Sequence, residues 1–212
     1  MRHAGRWSRS TRRENRLPAK VSQDTITGVI SAEKSECLIL TGMPGAGKST
    51  VSRLVAESLP RAACLDGDFI NRLVLGGRVG FGQEPVEEWN RQIDLMNRNM
   101  AMLSANFADA GFTPVIDSLL PDRRQVDDIV DRLAPRPVLL VVLSPGIDAC
   151  VYRNTIRHPD HQFFFDGYEG LEAAMRREFG DVGWWFDTSA LTPEQTAARV
   201  VAEAGRRALV KR

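Results

Sequence analysis

Short apolar runs alternate along the chain with longer stretches in which apolar residues return every three or four positions. The runs are Cys37 to Thr41, Arg61 to Leu65, Phe112 to Ile116, Pro137 to Leu143 and Trp184 to Phe186. Runs this short and this apolar suit strands buried on both faces of a parallel sheet, and Pro137 to Leu143 is the clearest. Between them, Val51, Leu54, Val55 and Leu59 predict a helix that begins at Lys48. Pro85 opens a long helix whose stripe Trp89, Ile93, Met96, Met100, Leu103 and Phe107 predicts a core-facing seam, ended by Gly111. Pro121 and Asp122 open another, carrying Val126, Ile129, Val130 and Leu133. Ile147 to Arg157 and Leu171 to Phe179 also read as helices, and Thr192-Pro193-Glu194-Gln195 is a capping box for the last one. Strands alternating with helices predict an α/β fold, a parallel sheet with helices on both faces.

Candidate chemistry enters between the first strand and the first helix. Gly42-Met43-Pro44-Gly45-Ala46-Gly47-Lys48-Ser49-Thr50 fits the phosphate-loop pattern G-x-x-x-x-G-K-[ST] without mismatch. Glycines let such a backbone wrap closely around a polyphosphate, and the helix N-terminus that follows favours anions. Lys48 is placed to reach the β- and γ-phosphates of a nucleoside polyphosphate, and the Ser49 hydroxyl to ligate Mg²⁺. The chain is rich in arginine, and its only lysines are Lys20, Lys34, Lys48 and Lys211. Between Lys34 and Lys211 lysine is used once, where phosphate-loop chemistry needs it.

Composition narrows the classes further. At 212 residues the chain suits one domain, expected over 25–212 with a lid around 153–168. Residues 1–24 form a basic segment expected to be a flexible tail; the domain starts near Cys37, or earlier from Thr25. A net charge of +1 gives no argument for nucleic-acid or membrane partners, and no apolar run reaches the roughly 20 residues of a membrane span. Cys37, Cys64 and Cys150 are widely spaced and read as buried free thiols of a cytoplasmic protein. His158-Pro159-Asp160-His161 lacks a third ligand at suitable spacing for a metal site. Nothing in the sequence reports an oligomeric state.

A GTPase would carry a base-reading N-K-x-D motif, and none is present. Small-molecule kinases remain. At Cys64-Leu65-Asp66-Gly67-Asp68-Phe69 the chain resembles gluconate kinases and adenylylsulfate kinases, and its layout is similar to chloramphenicol phosphotransferase and, more distantly, to zeta-toxin kinases. The resemblance implies a P-loop NTPase of the nucleoside-monophosphate-kinase type, three-layer α/β/α with a five-stranded parallel sheet, ATP as donor and a mobile lid. It also implies a hydroxylated small molecule as acceptor. An antibiotic such as chloramphenicol or a nucleoside antibiotic like capuramycin leads, with a sugar acid or nucleotide sugar as the alternative. An ATP-switched nucleic-acid-associated protein is the rival from another class, motivated by the basic tail.

Carboxylates at the C-terminal ends of parallel strands face the crevice where ligands bind. Asp68 is the candidate base for the acceptor hydroxyl, by its match to the chloramphenicol phosphotransferase aspartate; Asp66 either takes that role or binds the acceptor. A helix cap is the competing use of Asp68. Asp117 resembles a shortened Walker B aspartate for Mg²⁺, with a cap before Pro121 as its competing use. Arg153 and Arg157, four apart on one helical face, resemble the lid arginines that close over the γ-phosphate. Arg72 is a candidate for an anionic part of the acceptor. The glycine-rich stretch Gly76 to Gly82 is expected to be flexible and near the acceptor cleft, and Asp187-Thr188-Ser189 to lie where this fold receives adenine.

Overall fold

The structure, a computed structural model, describes residues 30, 36–157, 162 and 166–211. The basic tail, His158 to His161 and Phe163 to Phe165 lie outside the described residues. Five strands, β1 (Cys37–Thr41), β2 (Ala62–Asp66), β3 (Thr113–Asp117), β4 (Val138–Leu143) and β5 (Trp184–Phe186), form one parallel sheet in the order β2-β3-β1-β4-β5. β1, β3 and β4 are buried along their whole length, as central strands of a parallel sheet, and only β4 is apolar throughout.

The connecting helices are α1 (Lys48–Ser58), α2 (Gly67–Arg72), α3 (Val86–Asp109), α4 (Arg123–Leu133), α5 (Ile147–Thr155), α6 (Tyr168–Phe179) and α7 (Pro193–Arg207). α1 packs on α7 and α3 packs on α4, giving the outer layers of a three-layer α/β/α arrangement. The capping box of α7 forms as expected: Thr192 Oγ1 accepts from Gln195 N–H at 3.2 Å, and Gln195 Oε1 from Thr192 N–H at 3.0 Å.

The seam of α3 differs from the expected stripe. Its buried row is Gln92, Met96, Met100, Ser104 and Ala108, while Leu103 and Phe107 are exposed by 40% and 38%. Steps of four drift around the helix, so small and polar residues enter the contact with α4 and β3. Phe107 is instead used at the helix end. Gly111, at φ +77°, closes a Schellman turn in which Phe112 N–H donates to Phe107 C=O at 2.9 Å and Gly111 N–H to Ala108 C=O. The Phe107 and Phe112 rings meet edge-on at 6.2 Å, the apolar contact that accompanies such a turn.

Cys37 and Cys150 are buried free thiols, but Cys64 is exposed, because β2 is the edge strand and is incompletely covered. At the opposite edge β5 spans three residues and pairs only with Val141, Val142 and Leu143. The rest of β4 is covered by the chain end: Leu140 N–H donates to Ala208 C=O at 2.7 Å, and Val210 N–H to Val138 C=O at 2.9 Å. Ile30, 4% exposed, donates its N–H to Val201 C=O on α7 at 3.2 Å, so ordered packing starts before β1.

The aromatic strand β5 is tied to its helices by cation–π contacts. Arg207 lies over Trp184, Arg199 over Phe186 and Arg176 over Trp185, with guanidinium-to-ring distances of 4.5, 4.9 and 4.4 Å. These rings are packing, and Glu203 holds two of the arginines. Hydrogen bonds first from Arg199 and then from Arg207 bring its carboxyl down from 4.5 to about 2. A depressed carboxylate stabilises the fold above its unfolded pKa, and that stabilisation is lost as pH falls through the folded value. Glu203→Gln is therefore expected to melt below wild type at neutral pH, with the gap closing between 4.5 and about 2. Thermal melts across that range check it.

Candidate active site

The loop from Gly42 to Thr50 joins β1 to α1 at the C-terminal edge of the sheet. Lys48 folds back over it: Nζ donates to the carbonyls of Gly42 and Met43 at 2.9 and 3.1 Å. Gly45, at φ +82°, permits the closest approach in the site. A Cβ there would lie 2.1 Å from the Cys150 carbonyl oxygen, so α5 rests directly on the loop backbone. Arg153, one turn further along α5, brings its guanidinium beside Gly47.

Acids from two strands complete the site. β2 and β3 pair in a register that sets Asp66 opposite Asp117, and β3 pairs with β1 so that Asp117 lies beside Leu40. The turn after β3 is fixed to β1: Ser118 N–H donates to Leu40 C=O at 3.3 Å, and Leu120 N–H to the buried Thr41 hydroxyl at 3.0 Å. The connection leaving β1 runs to β2 on one side of the sheet and the connection leaving β3 runs to β4 on the other, so the topological switch point lies between the C-terminal ends of β1 and β3.

The charges here are interdependent. Burial pushes the Asp117 carboxyl above its ordinary range, opposed by a hydrogen bond from Ser49 and by the Lys48 charge; Asp66 and Asp68 add to the rise. Burial likewise pulls Lys48 down, opposed by Asp117 and then Asp68, while Arg157 adds to the fall. Ser49, Lys48, Asp117 and Asp68 thus form one electrostatic unit. No group of three or more His, Cys, Asp or Glu side chains suited to a metal occurs among the described residues. Ser49 and Asp117 nonetheless offer hard oxygens, already in hydrogen-bond contact, which fits Mg²⁺ held partly by phosphate oxygens.

The two acids of the D-G-D element divide their work. Asp66 is the cap of α2, its Oδ1 accepting from Phe69 N–H at 3.0 Å, so the cap falls two residues before Asp68, where the sequence suggested it. Asp68 stands in the first turn, exposed, with no hydrogen bond or ion pair among the described residues. Arg72 is exposed at the last position of α2, one turn from Asp68. Gly67 lies against Ser118 and the Asp117 carbonyl, which draws this element to β3. Asp117 is not a cap; Asp122 caps α4, accepting from Gln125 N–H at 2.9 Å.

Arg153 and Arg157 do not share a helical face. α5 stops at Thr155, and Gln162 Nε2 donates to the carbonyls of Thr155 and Arg157 at 2.9 Å each, satisfying the helix end. Arg153 instead borders a groove of about 230 Å³ between the phosphate loop and the turn after β5, with Gly47, Thr50, Thr188 and Leu191. The expected Thr188 is therefore placed beside the loop. In Gly76 to Gly82, the buried Gln92 side chain accepts from Val79 N–H and donates to Gly77 C=O. Gln92, Gln162 and Thr41 gave no signal in the sequence, because their partners are backbone groups brought close only by the fold.

A phosphate loop on a parallel sheet, with acids at the neighbouring strand ends and helices on both faces, defines a P-loop α/β/α protein of the small-molecule kinase type. Residues 34–155, more than half of the sequence, match the adenylylsulphate kinase family, and the chain belongs to that family. An adenylyl-sulfate kinase of Myxococcus xanthus is 32% identical over 121 residues, covering 55% of this chain and 62% of that protein. The curated relatives matched are spanned over 57–62% of their own length. Among solved structures, the tunicamycin resistance protein of Deinococcus radiodurans superposes with TM-score 0.59 at 19% identity, covering 84% of this chain and 99% of that one. The Mycobacterium tuberculosis APS kinase in complex with AMPPNP and APS superposes with TM-score 0.53 at 19% identity, covering 78% and 95%. Both likenesses concern the fold. No helix among the described residues is long and apolar enough to cross a membrane.

Proposed function

We propose that this chain is an ATP- and Mg²⁺-dependent kinase that transfers the γ-phosphate to a hydroxyl of a small molecule, with adenylyl sulfate as the first acceptor to test. The convergence of Lys48, Ser49, Asp117 and Asp68 at the switch point carries this reading. Lys48 and the loop amides hold the β- and γ-phosphates, and Ser49 and Asp117 hold the ion, which when bound neutralises charge on the transferring group. Asp68, whose carboxylate is uncommitted, accepts the acceptor hydroxyl proton; Asp66 caps α2 and keeps Asp68 in place. Arg153 lies against the donor base in the groove beside Gly47, and Arg157, whose charge is felt at Lys48, faces the phosphates.

The family membership favours the metabolic alternative over the antibiotic acceptor expected from the sequence. Likeness to the tunicamycin resistance protein supports the fold and adds nothing about the acceptor.

The test supplies [γ-³²P]ATP, Mg²⁺ and either adenylyl sulfate, gluconate or a panel of hydroxylated antibiotics. Asp68→Asn is expected to lower turnover by about 10²–10⁴-fold, the range for removing a general base. Asp66→Asn, which can still cap α2, retains most activity. Equal losses in the two variants would remove the distinction drawn between them, and wild-type protein that phosphorylates no probe would overturn the kinase reading.

A further inference from the structure

We propose that Gln92 is a positioning residue for the acceptor: its buried side-chain amide pins to α3 the glycine-rich loop 76–83, the segment that follows the helix carrying Asp68. This rests on the kinase reading above.

Gln92 is 5% exposed and lies in the buried row of α3, where an apolar residue would ordinarily pack. Its amide is fully used. Oε1 accepts from Val79 N–H at 3.0 Å, and Nε2 donates to Gly77 C=O at 2.8 Å and to Glu88 Oε1 at 2.9 Å. Glu88 is itself held by Arg91 at 3.1 Å. The loop has few other anchors. Gly80 and Gln83 close a turn on each other, with N–H donated to Gln83 Oε1 at 2.8 Å and to Gly80 C=O at 3.1 Å. Gly76, Gly77 and Gly82 have no atom within 4 Å of where a Cβ would stand, so no packing presses on that side of their backbone. Val79 is buried, and the Phe81 ring meets Trp89 edge-on at 6.1 Å.

Topology puts this loop on the acceptor side. The donor groove is built by segments following β4 and β5, on one side of β1 in the sheet order. α2, with Asp68 in its first turn, follows β2 at the far edge on the other side, and the loop joins α2 to α3, which packs beside it. Arg78 and Phe81 are exposed on the segment that leads from α2 to α3. Fixing that segment restricts where an acceptor hydroxyl can sit relative to Asp68, and a 1 Å error there costs turnover.

The experiment compares wild type, Gln92→Ala and Gln92→Glu by hydrogen exchange and by steady-state kinetics with ATP and adenylyl sulfate, or whichever probe of the panel the wild type phosphorylates. In Gln92→Ala, exchange over 76–83 is expected to rise about tenfold while that of 93–109 is unchanged. The acceptor KM rises about tenfold, and the ATP KM and kcat stay within about twofold. Gln92→Glu keeps the acceptor for Val79 N–H but loses both donors and sets a buried charge beside Glu88 and the Gly77 carbonyl, so it is expected to loosen the loop at least as much as Gln92→Ala. Unchanged loop exchange, or acceptor and ATP KM moving together, overturns the proposal while leaving the kinase reading intact. Wild-type protein that phosphorylates nothing overturns the kinase reading, and the acceptor role with it.

Discussion

Lys48→Ala is expected to reduce phosphoryl transfer by about 10³-fold or more while the protein stays folded, since positioned charge supplies most of the catalysis in this chemistry. The small stability change follows from opposing terms. Losing the ammonium leaves the Gly42 and Met43 carbonyls without their donor, at about 0.5–1.5 kcal/mol each. It also removes a cation that burial disfavours, as its lowered pKa records, which offsets much of that loss. Asp117, already raised by burial, loses a compensating charge and should be protonated more readily in the variant. Turnover measured beside a thermal melt separates the two effects. A variant that keeps near wild-type turnover would mean that Lys48 does not hold the transferring phosphate.

Gly45→Ala should be the most destabilising single methyl added to this chain. The left-handed backbone at φ +82° costs an L-residue about 1–2 kcal/mol. Its Cβ would also lie 2.1 Å from the Cys150 carbonyl oxygen and 2.9 Å from the carbonyl carbon, atoms of a helix backbone that no rotamer change can move aside. The sum is expected to exceed about 3 kcal/mol, a loss visible as a lowered denaturation midpoint. Gly76→Ala is the control: nothing lies within 4 Å and the backbone is not left-handed, so its effect should stay within about 0.5 kcal/mol. Equal midpoints for the two variants would show that α5 does not rest on the loop.

The parts legible in the sequence depend on local or periodic signals. Unbroken apolar runs marked β1 and β4, and the phosphate loop announced itself by spacing, because its backbone geometry needs glycines at fixed positions. Asp66, Asp68 and Asp117 were visible as acids closing strands, since strand ends in parallel sheets face the crevice. Their division of labour was not visible. Which carboxylate caps α2 depends on a two-residue difference in where the helix starts. The pairing of Arg153 with Arg157 failed for a similar reason: Gln162 ends α5 from seven residues beyond Thr155, a contact no periodicity encodes. The α3 stripe misled because average spacing cannot distinguish a heptad-like seam from a row of steps of four. Gln92's hold on the loop was hidden, because its partners there are backbone groups thirteen and fifteen positions upstream.

The pairing of the chain end with β4 also bears on how the protein behaves among its own copies. β5 shields only Val141, Val142 and Leu143, and without residues 208–210 the remaining half of β4 would present bare amides and carbonyls between apolar side chains. Such an edge invites a strand from another molecule. Ala208 and Val210 occupy those groups, so residues 208–210 act as a guard strip along that half of β4.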